Sequence, residues 1–514
     1  MTPVSERSGE ILKIGTGVAG FDDVLGGGLP GERLYLLEGD PGTGKTTLAL
    51  QFLLEGQRAG ERVVFVTLSE SRVELMASAA SHGWSLNGVE IREYVVSAER
   101  LAPEAMVTMF PPSEVELLET IRRLLGDIEA LNPDRVVIDS LSEIRLLAQD
   151  SFRYRRQLLE LKQFFLNRKC VVLLLDDRTA GDRDRHVQSI VHGVVHLEQI
   201  APDYGTERRR LRLSKIRGTT YRGGWHDYVI RRGGLEVFPR LTAAEHRQPV
   251  TRRTMSSAID PLDALLGGGT LTGTSLLILG PAGAGKTTLA IQMAVAAAGR
   301  GERTAVFTFD ETADLLLERT VAIGMPLREW VEKGLITVRQ VDPAELSPGQ
   351  FAHIIRGAVE RDGAEMVVID SLNGYLAAMP SERQLTAQLH ELLTFLSQRN
   401  VATVLVFGQQ GSFGGQIMSP VDASYLADTI VLLRFFEVQG RVRKAVSVIK
   451  KRSGPHEDSI RELAIGASGI VVGEALTDFQ GVLTGVPVYT RDRLTELLEQ
   501  PPPRRPKGRV RRND

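Results

Sequence analysis

The chain carries the same short sequence blocks twice, in the same order, and this duplication limits the folds that it can adopt. GDPGTGKTTLALQ at Gly39–Gln51 recurs as GPAGAGKTTLAIQ at Gly280–Gln292, and VVIDSL at Val136–Leu141 recurs at Val367–Leu372. The loop lysines lie 241 residues apart (286 − 45) and the aspartates 231 apart (370 − 139), as one net deletion of ten residues would produce. A repeat this long indicates a duplicated domain, because solenoid repeats are only about 20–50 residues long.

Composition divides the 514 residues into two large domains and a tail. We predict a first domain at residues 1–247, a second at 248–490, and a basic, proline-rich, disordered tail at 491–514. Residues 238–253 (FPRLTAAEHRQPVTRR) are polar and lack hydrophobic periodicity, as a linker does. Each half then has a size that suits one large α/β domain.

Each half alternates short apolar runs with helical stretches. Unbroken apolar runs are typical of strands buried on both faces, so this alternation predicts an α/β fold with a mainly parallel sheet flanked by helices. Two later runs, Asp428–Leu433 and Lys444–Ile449, have no obvious helix between them and predict an antiparallel extension. The other runs are Leu34–Leu37, Val63–Thr67, Val136–Asp139, Val171–Leu175, Leu276–Leu279, Ala305–Thr308, Met366–Asp370 and Thr403–Phe407.

Charge and cysteine content exclude several classes of protein. With 62 Lys and Arg against 64 Asp and Glu, the net charge of −2 disfavours a chain-wide electrostatic nucleic-acid binder. The single cysteine, Cys170, can form neither an intrachain disulfide nor a multi-cysteine zinc site, and we predict that it is buried. The N-terminus has no signal-like apolar segment and no apolar run reaches membrane length, which predicts a cytoplasmic protein without a membrane partner.

Two glycine-rich loops match the pattern of phosphate-binding loops. Each follows an apolar strand and precedes a helix, so backbone N–H groups and the helix N-terminus can face a phosphate. The lysine supplies a charge to the β- and γ-phosphates, and the threonine hydroxyl a ligand to Mg²⁺. The predicted ATP-binding residues are Gly42, Thr43, Gly44, Lys45, Thr46 and Thr47 in the first loop, and Gly283, Ala284, Gly285, Lys286, Thr287 and Thr288 in the second.

Acidic residues at strand ends complete the predicted chemistry. Asp139 and Asp370 end the VVID strands, where each carboxylate can hold Mg²⁺ with Thr46 or Thr287, most simply through water. The second strand of each half ends in VTLSES or FTFDET, which makes Glu70, Asp310 and Glu311 candidates to orient or deprotonate water. We expect these acids near the γ-phosphate if that strand neighbours the loop strand.

Together these residues resemble the KaiC family, a two-domain branch of the RecA-like P-loop ATPases. The resemblance runs from about Ile11 to Pro487 and includes blocks outside the ATPase motifs. These blocks are KIRGTTY at Lys215–Tyr221, KKRSGPH at Lys450–His456, GGLEVFP at Gly233–Pro239, SGIVVGEAL at Ser468–Leu476, the segment Ser81-His82-Gly83-Trp84, and DFQGVLTGVP at Asp478–Pro487.

The resemblance implies more than the motifs alone. It implies two tandem RecA-like domains in a homohexamer with a signalling or timing role, ATP between subunits, and a regulatory protein as a further partner. It also implies that a Lys-x-Arg pair reaches the neighbouring subunit's phosphates, where cations neutralise the developing charge. Carried over, the pair falls on Lys215 and Arg217 and on Lys450 and Arg452, and further ATP contacts fall on Ser81, Thr219 and His456.

The chain departs from the family pattern at several positions. One of the two adjacent catalytic acids is missing from the first half, where Ser69 precedes Glu70. Of the family's Ser-Thr autophosphorylation pair only Ser424 remains, followed by Tyr425. Serine autokinase and autophosphatase activity would then rest on Ser424 alone, and the alternative is that Ser424 and Tyr425 only pack at the subunit interface. Tyr221 and Ile323 replace a His and a Trp that contact nucleotide in the family.

Two other functions stay open from the sequence. A RecA-like DNA recombination or repair ATPase shares the loops and aspartates, although the net charge and the blocks outside the loops disfavour it. A non-hydrolysing hub that ATP merely assembles is disfavoured by the retention of Glu70 and Glu311.

Overall fold

A computed structural model describes residues 12–94, 112–166, 168–177, 185–202, 205–246, 251–377, 385–409, 426–438, 440–482 and 488–489. The chain divides into two compact units, Met1–Arg240 with Ser347–His353 and Leu241–Leu346 with Ile354–Asp514. The domain boundary at 247/248 stays a prediction, and the tail at 491–514 lies outside the described residues.

The first half contains eleven strands and seven α-helices among its described residues. The strands are β1 Lys13–Ile14, β2 Leu29–Pro30, β3 Leu34–Gly39, β4 Val63–Thr67, β5 Glu90–Glu93, β6 Arg135–Asp139, β7 Val171–Asp177, β8 Gly193–Ile200, β9 Arg208–Ile216, β10 His226–Arg231 and β11 Gly234–Phe238. The helices are α1 Phe21–Val24, α2 Lys45–Arg58, α3 Arg72–Ser81, α4 Pro112–Leu131, α5 Leu141–Ala148, α6 Ser151–Leu166 and α7 Arg185–Ile190.

Nine of these strands form one sheet in the order β11-β10-β9-β8-β3-β7-β6-β4-β5. The strands from β8 to β5 run parallel, and β9, β10 and β11 extend the sheet antiparallel. The loop strand β3 and the aspartate strand β6 are separated by β7 alone, so both of their carboxyl ends lie at one edge of the sheet. This edge is where ligands bind in open α/β sheets.

The second half repeats this plan. Its strands are β12 Thr254–Met255, β13 Thr270–Leu271, β14 Ser275–Gly280, β15 Thr304–Thr308, β16 Ile336–Gln340, β17 Met366–Asp370, β18 Ala402–Gly408, β19 Thr429–Val438, β20 Arg441–Lys451, β21 Arg461–Gly466, β22 Gly469–Ala475, β23 Phe479–Gln480 and β24 Val488–Tyr489. Its helices are α8 Asp260–Leu265, α9 Lys286–Gly299, α10 Ala313–Ala322, α11 Leu327–Glu332, α12 Pro348–Glu360, α13 Leu372–Ala377 and α14 Leu385–Gln398, and a 3₁₀ helix at Ala243–His246 precedes them.

The second sheet has the order β16-β15-β17-β18-β14-β19-β20-β21-β22. The predicted fold class is therefore confirmed, with two tandem α/β domains that each contain a mainly parallel nine-stranded sheet. One detail of the prediction is wrong. All but the first residue of the run Asp428–Leu433 lies in β19, which pairs parallel with β14, and the antiparallel extension begins only at β20.

Apolar residues cover both faces of the first sheet, as the unbroken apolar runs predict. Alternate residues of β3 point to opposite faces, so Tyr35 and Leu37 join one core and Leu34 and Leu36 the other. Cys170 is buried at the start of β7, as predicted, and burial raises the pKa of its thiol to about 11. None of the helices that the structure describes is both long enough and apolar enough to span a membrane.

Candidate nucleotide sites

Both glycine-rich loops adopt a backbone that only glycine accommodates easily. Gly42 and Gly44 have φ of 83° and 89°, and their counterparts Gly283 and Gly285 have φ of 77° and 103°. A Cβ at Gly44 would lie 2.6 Å from Ile230 Cδ1, so packing as well as backbone conformation excludes a side chain there. Each loop connects the end of a fully buried strand, β3 or β14, to a 14-residue helix, α2 or α9.

The ammonium of Lys45 lies inside the first loop, where three oxygen atoms surround it. Its Nζ donates to the backbone oxygens of Gly39 at 2.9 Å and Asp40 at 3.0 Å. It also forms an ion pair of 2.7 Å with Oδ1 of Asp177, the last residue of β7. Because β3 and β7 pair in register, Asp177 lies opposite Gly39, whereas Gly408 lies opposite Gly280 in the second sheet. Strand β7 thus supplies the lysine of the first loop with an acidic partner, whereas the matching position beside the second loop is a glycine.

Thr46 and Asp139 meet at the carboxyl edge of the sheet. The Thr46 hydroxyl donates to Oδ2 of Asp139 over 2.9 Å, which joins a hydroxyl and a carboxylate of the type that Mg²⁺ takes as ligands. Burial raises the pKa of Asp139 to about 6, helped by the nearby carboxylates of Glu70 and Asp177 and opposed by the Thr46 hydrogen bond and by Lys45. Both the composition and the charge of this group of residues suit a divalent cation.

Glu70 approaches this group although its strand does not neighbour the loop strand. We expected Glu70 near the γ-phosphate if its strand, β4, neighboured the loop strand, β3. The two strands are not neighbours, because β7 and β6 lie between them. Nevertheless burial raises the pKa of Glu70, and the carboxylates of Glu74 and Asp177 raise it further. The hydroxyl of Thr67 donates to the Glu70 backbone oxygen at 2.7 Å and so fixes the turn that carries the acid.

A cavity of about 330 Å³ lies beside the second loop. It brings together the predicted lysine, threonine and acids of this half with polar residues that follow β17 and β18. Its lining comprises Ala282, Lys286, Thr287, Thr308, Asp310, Glu311, Asp370, Ser371, Asn373, Val406, Gly408 and Gln409. The size and the few convergent polar groups are typical of a small-molecule site.

The charges in this cavity repeat those of the first half. Burial raises the pKa of Asp370, and the Asp310 and Glu311 carboxylates add to the rise, while the Thr287 hydrogen bond and Lys286 oppose it. Burial lowers the pKa of Lys286, although Asp370 and Asp310 favour its charged form. Lys286 Nζ donates to the Pro281 backbone oxygen at 2.8 Å. In both halves the peptide bond after the aspartate is cis.

Each of the two adjacent acids of the second half already has a hydrogen-bond donor. The hydroxyl of Ser371 donates to Oδ2 of Asp310 over 2.5 Å. Arg319, on α10, forms a two-pronged ion pair with Glu311, with Nε at 3.0 Å from Oε1 and Nη2 at 2.9 Å from Oε2. As in the first half, a threonine, Thr308, donates to the backbone oxygen of the second acid.

The cations predicted to act across subunits lie away from the nucleotide loop of their own half. Lys215 Nζ donates to the Gln188 backbone oxygen at 2.6 Å and Arg217 Nη2 to that of Ser189 at 3.1 Å. Burial and the neighbouring Arg217 and Lys162 lower the pKa of Lys215. In the second half Lys450 Nζ donates to the Ala427 backbone oxygen at 2.8 Å, and Arg452 lies 3.9 Å from the Asp428 carboxylate. Of the residues described, those that line the second cavity include neither Lys450 nor Arg452.

The other residues that the family resemblance singled out are dispersed. Ser81 is exposed and donates to the Ser78 backbone oxygen, and Thr219 and His456 are half-buried. Tyr221 and Ile323 pack against the cores of their own halves rather than standing free. The predicted phosphosite Ser424 and its neighbour Tyr425 lie outside the described residues.

Sequence reasoning did not single out several residues of the sites, which include Ser371 and Asn373 of the second cavity and the three described next. Asp177 carries the same signal as Asp139, an acid that ends an apolar strand, and that signal could have identified it. The Nε2 atom of His82 lies 3.5 Å from Oγ1 of Thr47. From the sequence we named His82 only within a segment that resembles the KaiC family, and assigned it no role. Arg319 follows Glu311 by eight residues, a spacing with no recognised meaning, so only the fold reveals their ion pair.

Comparison with known proteins agrees with the geometry. The family model described as "ATPase: KaiC" matches residues 14–242 and 255–477, once in each half. The chain is 26% identical over 500 residues to "Circadian clock protein KaiC3" of Synechocystis sp., covering 96% of this chain and 98% of that protein. It is 28% identical over 505 residues to "Circadian clock oscillator protein KaiC" of Thermosynechococcus vestitus, covering 96% of each. The protein of that name from Acaryochloris marina is 28% identical over 484 residues, 93% of this chain and 92% of that protein.

Proposed function

The chain belongs to the KaiC family of ATPases, and on this premise we propose that it binds and hydrolyses Mg²⁺-ATP at both loops within a homohexameric signalling or timing ring. The observation that carries the proposal is the repeated site. In each half a loop lysine, a loop threonine hydrogen-bonded to a strand-end aspartate, and at least one further carboxylate meet at the carboxyl edge of the sheet.

The donor sets at both loops fit a magnesium ion bound together with ATP. The described residues contain no cluster of three or more His, Cys, Asp or Glu side chains that could hold a metal alone. One hydroxyl and one carboxylate per site suit Mg²⁺, which keeps waters and takes its remaining ligands from substrate phosphates. When bound, the ion would neutralise charge that develops on the transferred phosphoryl group. Thr46 with Asp139 and Thr287 with Asp370 would hold it, the aspartates through water.

The protein's own residues would divide the remaining work. Lys45 and Lys286 would bind phosphate oxygens, and backbone N–H groups at the starts of α2 and α9 would bind the same anion. Glu70 in the first half, and Asp310 and Glu311 in the second, would orient or deprotonate the attacking water. Lys215 and Arg217, and likewise Lys450 and Arg452, would complete the neighbouring subunit's site. Their separation from the loops of their own half supports this role.

The finer roles rest on the family resemblance. These are the contacts of Ser81, Thr219 and His456 with ATP, serine autokinase and autophosphatase activity at Ser424, a regulatory partner protein and a cytoplasmic location. Two changes bear on them: Tyr425 follows Ser424 in place of threonine, and Ser69 precedes Glu70 in place of an acid.

Two alanine variants test the proposal. Lys45→Ala and Lys286→Ala are each expected to remove one bound ATP per chain, because each deletes the cation of one loop only. Native mass spectrometry with Mg²⁺-ATP counts subunits and nucleotides together, and the intact mass reports covalent phosphate, which peptide mapping then tests for at Ser424. Asp458→Asn, an exposed change far along the chain from both loops, is the control.

Full nucleotide stoichiometry in either alanine variant would contradict the assignment of that loop. A monomer that hydrolyses ATP at full speed, with Arg217 and Arg452 dispensable, would contradict the shared sites. DNA-stimulated turnover would favour a recombination or repair ATPase, and bound ATP that persists unhydrolysed for days would favour an assembly hub.

A further inference from the structure

Glu311 is held by a two-pronged ion pair, a contact that the described residues of the first site do not give to Glu70 or Asp139. Both of its oxygens accept hydrogen bonds from the Arg319 guanidinium, at 3.0 and 2.9 Å. The third nitrogen of that guanidinium, Nη1, lies 3.3 Å from the hydroxyl of Thr288, the residue that follows the loop threonine. Arg319 therefore ties a candidate catalytic acid to the helix that begins at the phosphate loop.

Among the described residues of the first half, no cation pairs in this way with Glu70. The two loop lysines lie 241 residues apart, and so do Glu70 and Glu311. Helices α3 and α10 each have ten residues and begin 241 residues apart. This register places Ser78 where the second half has Arg319. The charges that act on Glu70 are those of Glu74 and Asp177, which are both acidic. Thr47, the counterpart of Thr288, lies near His82.

This difference affects how well each acid can accept a proton from water. A guanidinium that binds both oxygens of a carboxylate occupies one lone pair on each and fixes the group's orientation. A general base must turn a free lone pair toward the attacking water within hydrogen-bond reach. No side chain among the described residues donates to the Glu70 carboxylate, so any of its lone pairs can accept from the water. Glu311 offers the water only the lone pairs that Arg319 leaves unoccupied.

We propose that Arg319 is a positioning residue that restrains Glu311 and so slows ATP hydrolysis at the second site relative to the first. The inference rests on the proposed function, because it takes Glu311 as a residue that acts on the attacking water. It goes beyond that function by attributing a difference in the rate of ATP hydrolysis between the two halves to one side chain. The ion pair is partly exposed, with 36% of the Arg319 and 22% of the Glu311 side chain accessible, so the restraint is moderate.

The test isolates the second site in the full-length chain by means of Lys45→Ala. In that background Arg319→Ser, which introduces the first half's residue, is expected to raise kcat about three- to tenfold, the range that one charge-assisted contact to the base can supply. KM should stay within about twofold, since Arg319 does not line the cavity. The kcat of Arg319→Lys should lie between the values for Arg319 and for Arg319→Ser, because the lysine ammonium cannot bind both carboxylate oxygens in the planar geometry of a guanidinium. Arg328→Ser, which removes an exposed arginine on α11, controls for net charge.

The reciprocal variant gives an independent answer. In a Lys286→Ala background, Ser78→Arg should lower first-site kcat by a similar factor, because it supplies Glu70 with the missing guanidinium. An unchanged or lower kcat in Arg319→Ser, or an equal effect of Arg328→Ser, would overturn the inference. If Arg319→Ser fails to fold, as judged by circular dichroism, Ser78→Arg decides alone, and an unchanged rate overturns the inference.

Failure of the proposed function gives a different result. If the Lys45→Ala protein hydrolyses no ATP, hydrolysis at the second site is disproved for the native residues. The inference then survives only if the double variant, Lys45→Ala with Arg319→Ser, hydrolyses ATP. It is overturned if that double variant is also inactive.

Discussion

Replacing Asp139 with asparagine is expected to make the first unit harder to unfold at neutral pH when metal and nucleotide are absent. Burial, together with the carboxylates of Glu70 and Asp177, raises the pKa of Asp139 from 3.8 to about 6. The folded state therefore holds the Asp139 proton more tightly than the unfolded state does, and ionisation of the buried acid costs stability as the pH rises from about 4 to about 6.

The size of the effect follows from the pKa. At 1.36 kcal/mol for each pKa unit, the cost of keeping Asp139 ionised in the folded protein is about 3 kcal/mol above pH 6. An asparagine side chain removes that charge, and its carbonyl oxygen can still accept the hydrogen bond from Thr46. We expect the free energy of unfolding to rise by about 2–3 kcal/mol at pH 7.5 and by much less at pH 4.5, where the folded wild type is already protonated.

Tryptophan fluorescence during urea unfolding can measure this effect for the first unit. The chain has three tryptophans, and Trp330→Phe leaves only Trp84 and Trp225, which both lie in the first half. The measurement is made in chelator without nucleotide, and Asp458→Asn serves as an exposed control. Equal stability of Asp139→Asn and wild type at pH 7.5, or an equal gain at both pH values, would refute the reasoning.

Two further predictions concern the first half. Asp177→Asn should lower the Kd for ATP about three- to tenfold by calorimetry, because it frees Lys45 from a 2.7 Å ion pair and removes a negative charge that faces the phosphates; unchanged affinity would contradict this, and Asp458→Asn is again the control. Cys170, with burial raising its pKa to about 11, should react with iodoacetamide at pH 8 at least about a hundredfold more slowly than in urea-unfolded protein, as measured by mass spectrometry. Rapid labelling of the native protein would show that β7 opens.

The fold was largely predictable because its signals are local. Unbroken apolar runs identified the buried parallel strands, and the glycines at positive φ in both loops are an unambiguous backbone requirement. Strand order was not predictable, because it depends on how helices pack the strands against one another. The sequence therefore did not indicate that two strands separate β4 from β3, or that β19 pairs parallel with β14.

The candidate sites divide in the same way. Lys45, Thr46 and Asp139 belong to motifs whose spacing identifies them, and in the structure they meet at one edge of the sheet. The ion pairs Lys45–Asp177 and Arg319–Glu311 arise from tertiary neighbours, so no short pattern encodes them. These are also the contacts by which the two copies of the site differ, and duplication alone would predict two equal sites.

The residue beside each loop on the neighbouring strand, Asp177 in one half and Gly408 in the other, would give the two proposed sites different affinities for ATP. On the proposed function, an incoming triphosphate would have to displace Asp177 from Lys45 in the first half, whereas the matching position in the second sheet is Gly408, which has no carboxylate. As ATP grows scarce, we expect the first half to empty while the second is still occupied. One polypeptide would then distinguish abundant, moderate and depleted ATP by how many of its sites are filled.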